Sequence, residues 1–231
     1  MPNWVRNTLT CDKKYRNHIL NTEGEVDFNI LVPMPDAIRN TVSDSYKNIA
    51  LYAYLSDNGK KADANVLPKL DPVIKSMGLC FENYDKIKSK YNETVSRNKN
   101  LVEELYNRGK IAYDCFEQYG STDWYDWSIQ NWSCKWNASD TTVSEKGNTL
   151  IIEFDTPWSD PEGWIRALAA QNVPFDITFV EEDSYIGCAA SHGDGKIDYF
   201  EGRYDDHDAS AEELIDKFIK GLGEKVKFNF R

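Results

Sequence analysis

An α+β fold, with helices packed on one face of a largely antiparallel sheet, is what this sequence predicts. Three observations carry that expectation. Short apolar segments with strand character occur at both ends of the chain, a block of helical periodicity separates them, and the second half runs strand–helix–strand, hairpin, helix, strand.

Taken in order, residues 5–11 read as a first strand and 12–21 as a short helix. Residues 26–32 read as a second strand, closed by Pro33-Met34-Pro35, because proline lacks the N–H a ladder needs. From 36 to about 119 the pattern turns helical. Residues 44–56 align Ile49 and Ala53, 80–95 align Phe81, Tyr84, Tyr91 and Val95, and 98–119 align Leu101, Leu105, Ala112, Phe116 and Tyr119. A polar loop, 57–65, follows the first of these, and the last two suit a helical hairpin.

Strand character returns at 128–136 and 148–155. A helix over 160–171 has Asp160 as its cap and Pro161 at its first position, with Trp164, Ile165, Leu168 and Ala169 as the buried stripe. Residues 175–182 form the next strand, and 185–191 with 196–204 read as a hairpin around Gly193-Asp194-Gly195. Ser210 and Glu213 spell a capping box for a helix reaching Lys220, and Val226, Phe228 and Phe230 alternate as a last strand. Three parts follow: 1–35 and 121–231 build one α+β domain, and 36–120 is a helical insertion.

The 231 residues carry a net charge of −11, unevenly spread. Residues 1–120 sum to +1 and residues 121–231 to −12, with twelve acids against Lys196 and Arg203 inside 181–216. Such a field repels nucleic acid and anionic lipid and attracts basic surfaces. No apolar run spans a bilayer, and the opening residues lack the apolar core of a secretory signal, so a cytoplasmic protein is expected. The five cysteines (Cys11, Cys80, Cys115, Cys134, Cys188) are scattered, which argues for reduced thiols rather than disulfides or a zinc cage.

Short blocks carry a further signal. Met1-Pro2-Asn3-Trp4 with Asn7 and Leu9 opens the chain, and Phe28 is followed by Ile30 to Pro35. Later come Asn131-Trp132-Ser133-Cys134-Lys135-Trp136-Asn137, then Phe154-Asp155-Thr156-Pro157-Trp158-Ser159-Asp160-Pro161, then Glu181, Glu182 and Gly187. In this order the blocks resemble the YubB-type ferredoxin-like family of phage and plasmid proteins, with Ser133 and Cys134 standing where that family has Gly and Thr. The resemblance implies a ferredoxin-like fold with a helical insertion and a mobile-element origin. It carries over no catalytic activity, and the word ferredoxin names a fold here, not a cluster.

Candidate sites are weighed on chemistry. Trp132 and Trp136 share strand parity and, with Trp158 and Trp164, read as a structural aromatic cluster rather than a binding pocket. Asp194, Asp198 and Glu201 match half of an EF-hand loop, but Ala190 and His192 occupy its first ligand positions. Asp205, Asp206 and Asp208 extend the acidic run, and His18, His192 and His207 lie far apart. No catalytic residue, metal site or cofactor is expected. The leading expectation is a binding module whose acidic face (Asp194, Asp198, Glu201, Asp205, Asp206, Asp208) meets a protein partner with a basic surface, one version being an inhibitor that occupies a defence protein's nucleic-acid groove. The alternatives are a metal-dependent hydrolase using those carboxylates, or an assembly protein using the helical insertion.

Overall fold

The structure, a computed structural model, describes residues 2–58, 60, 84–183, 185–206 and 208–229. Most of the 57–65 loop, the expected helix start at Cys80 and Phe81, His207 and Phe230 lie outside these residues. Contacts divide the chain into two units, Met1–Pro33 with Ser128–Arg231, and Met34–Trp127.

The first unit is built on a six-stranded antiparallel sheet ordered β2-β3-β1-β4-β5-β6. Its strands are β1 (Trp4–Asp12), β2 (Ser139–Lys146), β3 (Thr149–Pro157), β4 (Pro174–Glu181), β5 (Tyr185–His192) and β6 (Asp198–Arg203). Strand β1 pairs along its full length with β3 and nearly so with β4, in registers such as Leu9 opposite Ile152 and Ile177. The helices described are α1 (Asp36–Arg39), α2 (Lys47–Leu55), α3 (Tyr84–Arg97), α4 (Leu101–Tyr119), α5 (Trp124–Trp132), α6 (Glu162–Ala170) and α7 (Ala211–Leu222). Helix α6 connects β3 to β4 across β1, which makes a split βαβ unit of the ferredoxin-like kind.

Alternation along the strands sends Val5, Leu9 and Cys11, with Phe154, Phe175, Ile177 and Phe179, to one face. There they meet Trp164 of α6 and Phe28, all fully buried. Phe154 meets Trp164 edge-on at 6.0 Å between ring centres, and Phe28 lies 4.9 Å from Trp164. Each such contact adds about 1 kcal/mol beyond the area it buries. Where the pattern suggested helices gathered on one face, α7 docks on the opposite one, setting Leu214 and Ile215 against Ile186 and Val180. Its capping box is formed as expected: Ser210 and Glu213 bond each other's backbone N–H.

Four local expectations are corrected. Residues 26–32 form no strand. Asp27 accepts from Asn29 N and caps a 3₁₀ turn, Phe28–Ile30, that drops Phe28 into the core. Residues 128–136 are not a strand either, since α5 runs to Trp132 and bends follow. Its entry is capped by Asp123, which accepts from Asp126 N at 3.0 Å. Asp160 does not cap α6, because its carboxyl turns to two tyrosines instead. Residues 226–229 pack Val226 and Phe228 against Cys188 and Phe200 without joining the ladder. The Asn229 side chain bonds Ser191 O and Asp176 there, replacing strand pairing.

In the second unit α4 packs mostly along α2. Ile49, Tyr52 and Ala53 meet Leu105 and, from α3, Tyr91. Gly109 permits this approach, since a Cβ there would run into the Ala50 carbonyl. Lys47 is held by Asp126 at 2.8 Å and Asp123 at 3.0 Å. Burial works against its ammonium, but the two carboxylates outweigh that and raise its pKa. Among the described residues the four cysteines, Cys11, Cys115, Cys134 and Cys188, are buried and form no disulfide. No described helix is long and apolar enough to cross a membrane.

The motif blocks meet in the first unit. Ser159 Oγ donates to Ser133 O at 2.5 Å, Gly163 N donates to Ser133 Oγ at 3.1 Å, and the Asn137 side chain bridges Phe28 N and Asp27. A Cβ at Gly163 would collide with the Asn131 carbonyl. Gly163→Ala should therefore cost about 3 kcal/mol, since backbone stands on both sides of the clash and neither can rotate away. Urea unfolding of the variant against the parent chain measures it.

Candidate functional site

The β5–β6 hairpin and the loop after it carry the acidic residues singled out in the sequence. Asp194, Asp198, Glu201, Asp205, Asp206 and Asp208 are all exposed. Asp194 accepts from Lys196 N at 3.1 Å, a local turn bond. Asp198 stands 3.8 Å from His192 Nε2, the one ion-pair contact to any of the six among the described residues. Strung along a strand and a loop, they do not converge on a cleft. Among the described residues no three acids, histidines or cysteines gather at metal-binding spacing.

Strand β6 is one of the two outer strands of the sheet among the described residues, and charged side chains on an outer strand discourage edge-to-edge pairing of copies. That explanation covers Asp198 and Glu201. It does not cover Asp205, Asp206 and Asp208, which lie past the strand.

Beside these carboxylates runs a groove of about 650 Å³ between α7 and the end of β6. Ile186, Leu214, Phe218 and Leu222 supply apolar walls, and Asp205 and Asp206 stand with Arg203 and Lys217 at its polar margin. Gly221 also lines it, and a Cβ placed there meets nothing within 4 Å.

The tryptophans separate into two kinds. Trp164 is fully buried, and Trp132, at the end of α5, is buried with its Nε1 donating to Val32 O at 2.9 Å. Trp136 and Trp158 are 40% and 55% exposed, so the four do not form one cluster on a sheet face. The Lys135 ammonium lies 4.5 Å over the Trp136 ring. Trp158 holds a φ of 71°, a left-handed backbone that bulky residues seldom adopt.

A feature the sequence reading missed lies on the opposite face from α7. Asp160, 4% exposed, accepts from Tyr185 Oη at 3.0 Å on one oxygen and from Tyr199 Oη at 3.0 Å on the other. The two phenol oxygens are 3.1 Å apart, and Tyr185 also reaches Glu201 at 3.0 Å. Phe179 stacks on Tyr185 at 5.6 Å, and the Arg166 guanidinium lies over Tyr199. The two phenol protons are thus shared among four oxygen–oxygen contacts.

Burial pushes the Asp160 carboxyl up to about 6, against the lowering effect of the two tyrosine hydrogen bonds. Burial first, and then Asp160, raise both tyrosines well above the ordinary phenol. No sequence motif marks this group, because its members come from a loop and two strands.

A comparison with protein families agrees on the fold. Residues 131–219 match the family described as "Ferredoxin-like domain in Api92-like protein". The crystal structure of a protein api92 from Yersinia pseudotuberculosis is similar at 12% identity, over 89% of this chain and 99% of that one, with a TM-score of 0.38. No curated protein matches.

Because the folded Asp160 pKa exceeds its unfolded value, the folded chain holds a proton there that the unfolded chain has released between about pH 4 and 6. Its contribution is complete below that window and lost on rising through it. Asp160→Asn removes this dependence. Relative to the parent, the variant should gain on the order of 3 kcal/mol from pH 4 to pH 7 and stay level above. Chemical denaturation of both chains at pH 4, 5, 6, 7 and 8 checks the sign and the window.

Proposed function

We propose that this chain is a non-catalytic binding module that meets a basic protein partner through the β5–β6 hairpin and the 204–208 loop. The reading is supported above all by the placement of the six carboxylates. They face solvent, Asp205, Asp206 and Asp208 lie past the end of β6, and Asp205 and Asp206 border a groove with apolar walls. A charged surface of one sign speeds encounter with the opposite sign and disfavours wrong partners, while apolar contact alongside it lengthens residence.

The finer version of the proposal keeps the mobile-element origin suggested by the YubB-type blocks. The carboxylates would then stand in for phosphates and fill the nucleic-acid groove of a host defence protein in the cytoplasm. Net −12 over residues 121–231 is the property that version uses.

Capture from host lysate on the immobilised full chain tests the module reading. Basic proteins should be retained near 0.1 M salt and released at about 1 M, where the screening length falls from about 10 Å to about 3 Å. A chain with Asp194, Asp198, Asp205, Asp206 and Asp208 changed to Asn and Glu201 to Gln should retain at least tenfold less. Equal capture by the two chains would remove the acidic face from the interaction.

A further inference from the structure

We infer that the partner is engaged as an extended strand added to the outer side of β6, alternating basic and apolar residues. The inference rests on the binding-module reading and gives it a mode and a partner chemistry.

Three observations converge on it. Strand β6 pairs with β5 on one side, from Tyr185 opposite Arg203 to Ala190 opposite Asp198, and ends the sheet among the described residues. An outer strand offers a row of backbone donors and acceptors, and a peptide that takes them up extends the sheet by one strand. Second, the apolar groove lies on the α7 side of that same strand, and side chains of an added strand project alternately to the two faces. Those on the α7 side would lie toward Phe218 and Leu222, and those on the other toward Glu201.

Third, charge selects the occupant. Along β6 and just past it the exposed acids Asp198, Glu201, Asp205, Asp206 and Asp208 outnumber Arg203, while at the groove itself Asp205 and Asp206 stand beside Arg203 and Lys217. A second copy of this chain would bring acids against acids at the edge, so self-pairing is opposed. A strand with Lys or Arg at every second position meets opposite charge, and valine or leucine between them suits the groove.

Gly221 makes the idea separable from simple charge attraction. It lines the groove, is exposed within α7, and has open space where a side chain would begin. Replacing a helical glycine does not weaken the helix, so Gly221→Phe should fill the groove in a chain at least as stable as the parent. Unfolding curves verify this, and Gly221→Ala serves as a second, smaller variant.

The probe is a synthetic eight-residue peptide of alternating lysine and valine, titrated calorimetrically into the full chain. Backbone amide shifts are followed at 198–206. The expected result is binding that weakens at least tenfold with Gly221→Phe and at least tenfold with a peptide N-methylated at alternate residues, with shifts centred on β6. Binding that survives both changes overturns strand addition and leaves the charge-based reading standing. Failure of the peptide to bind while lysate capture remains salt-sensitive overturns it as well. Equal binding by an alternating glutamate–valine peptide would remove the charge selection.

Discussion

Strand β1 is the constraint on which the first unit depends. It is laddered on both sides, to β3 and to β4, and those two strands reach each other only through it and through the α6 crossover. Its inward residues, Val5, Asn7, Leu9 and Cys11, are wholly buried, so one slip in register would turn each of them to the other face. Asn7 is the polar exception. Its Nδ2 bonds Val5 O, Phe154 O and Thr156 Oγ1, tying the strand to β3 through the side chain as well as the ladder. The hairpin and the groove hang on the far side of β4 and inherit their position from this pairing.

Much of the fold was legible because period and punctuation agreed. Strands at 5–11, 148–155 and 175–182, the glycine-turn hairpin and the Ser210–Glu213 box each combine an alternating or helical pattern with a stop signal. The failures have particular causes. Phe28, Ile30 and Val32 alternate like a strand, yet Asp27 captures the following N–H and turns the chain. At 128–136 the aromatic content suggested β structure, while the helix signal lay upstream at Asp123. Strand β2 went unseen because most of its residues are polar and none is buried, as an outer strand allows.

The candidate face was legible in composition alone, since exposed carboxylates need no partner to be noticed. What composition could not supply was the groove, whose apolar walls belong to α7 and β5, nor Asp160 and its tyrosines, 25 and 39 residues away along the chain. The motif blocks conveyed something else. Asn7 Nδ2, Ser133 Oγ, Ser159 Oγ and the Asn137 amide bond backbone groups, and Asn7 and Asn137 also bond the side chains of Thr156 and Asp27. Those blocks mark how loops are locked over the core, which is why they point to a fold and not to a chemistry.

The double pairing of β1 also sets an order of events during synthesis. Its partners enter the chain only at 149 and 174, after the whole of Met34–Trp127 has been made. Until then β1 leaves the ribosome with both ladder edges bare, and closing so long a loop delays its docking. The intervening unit is complete in the chain before either partner of β1 has been made. A nascent chain of this design is most exposed to misassembly before β4 emerges, and a chaperone that shields short apolar strands would act in that interval.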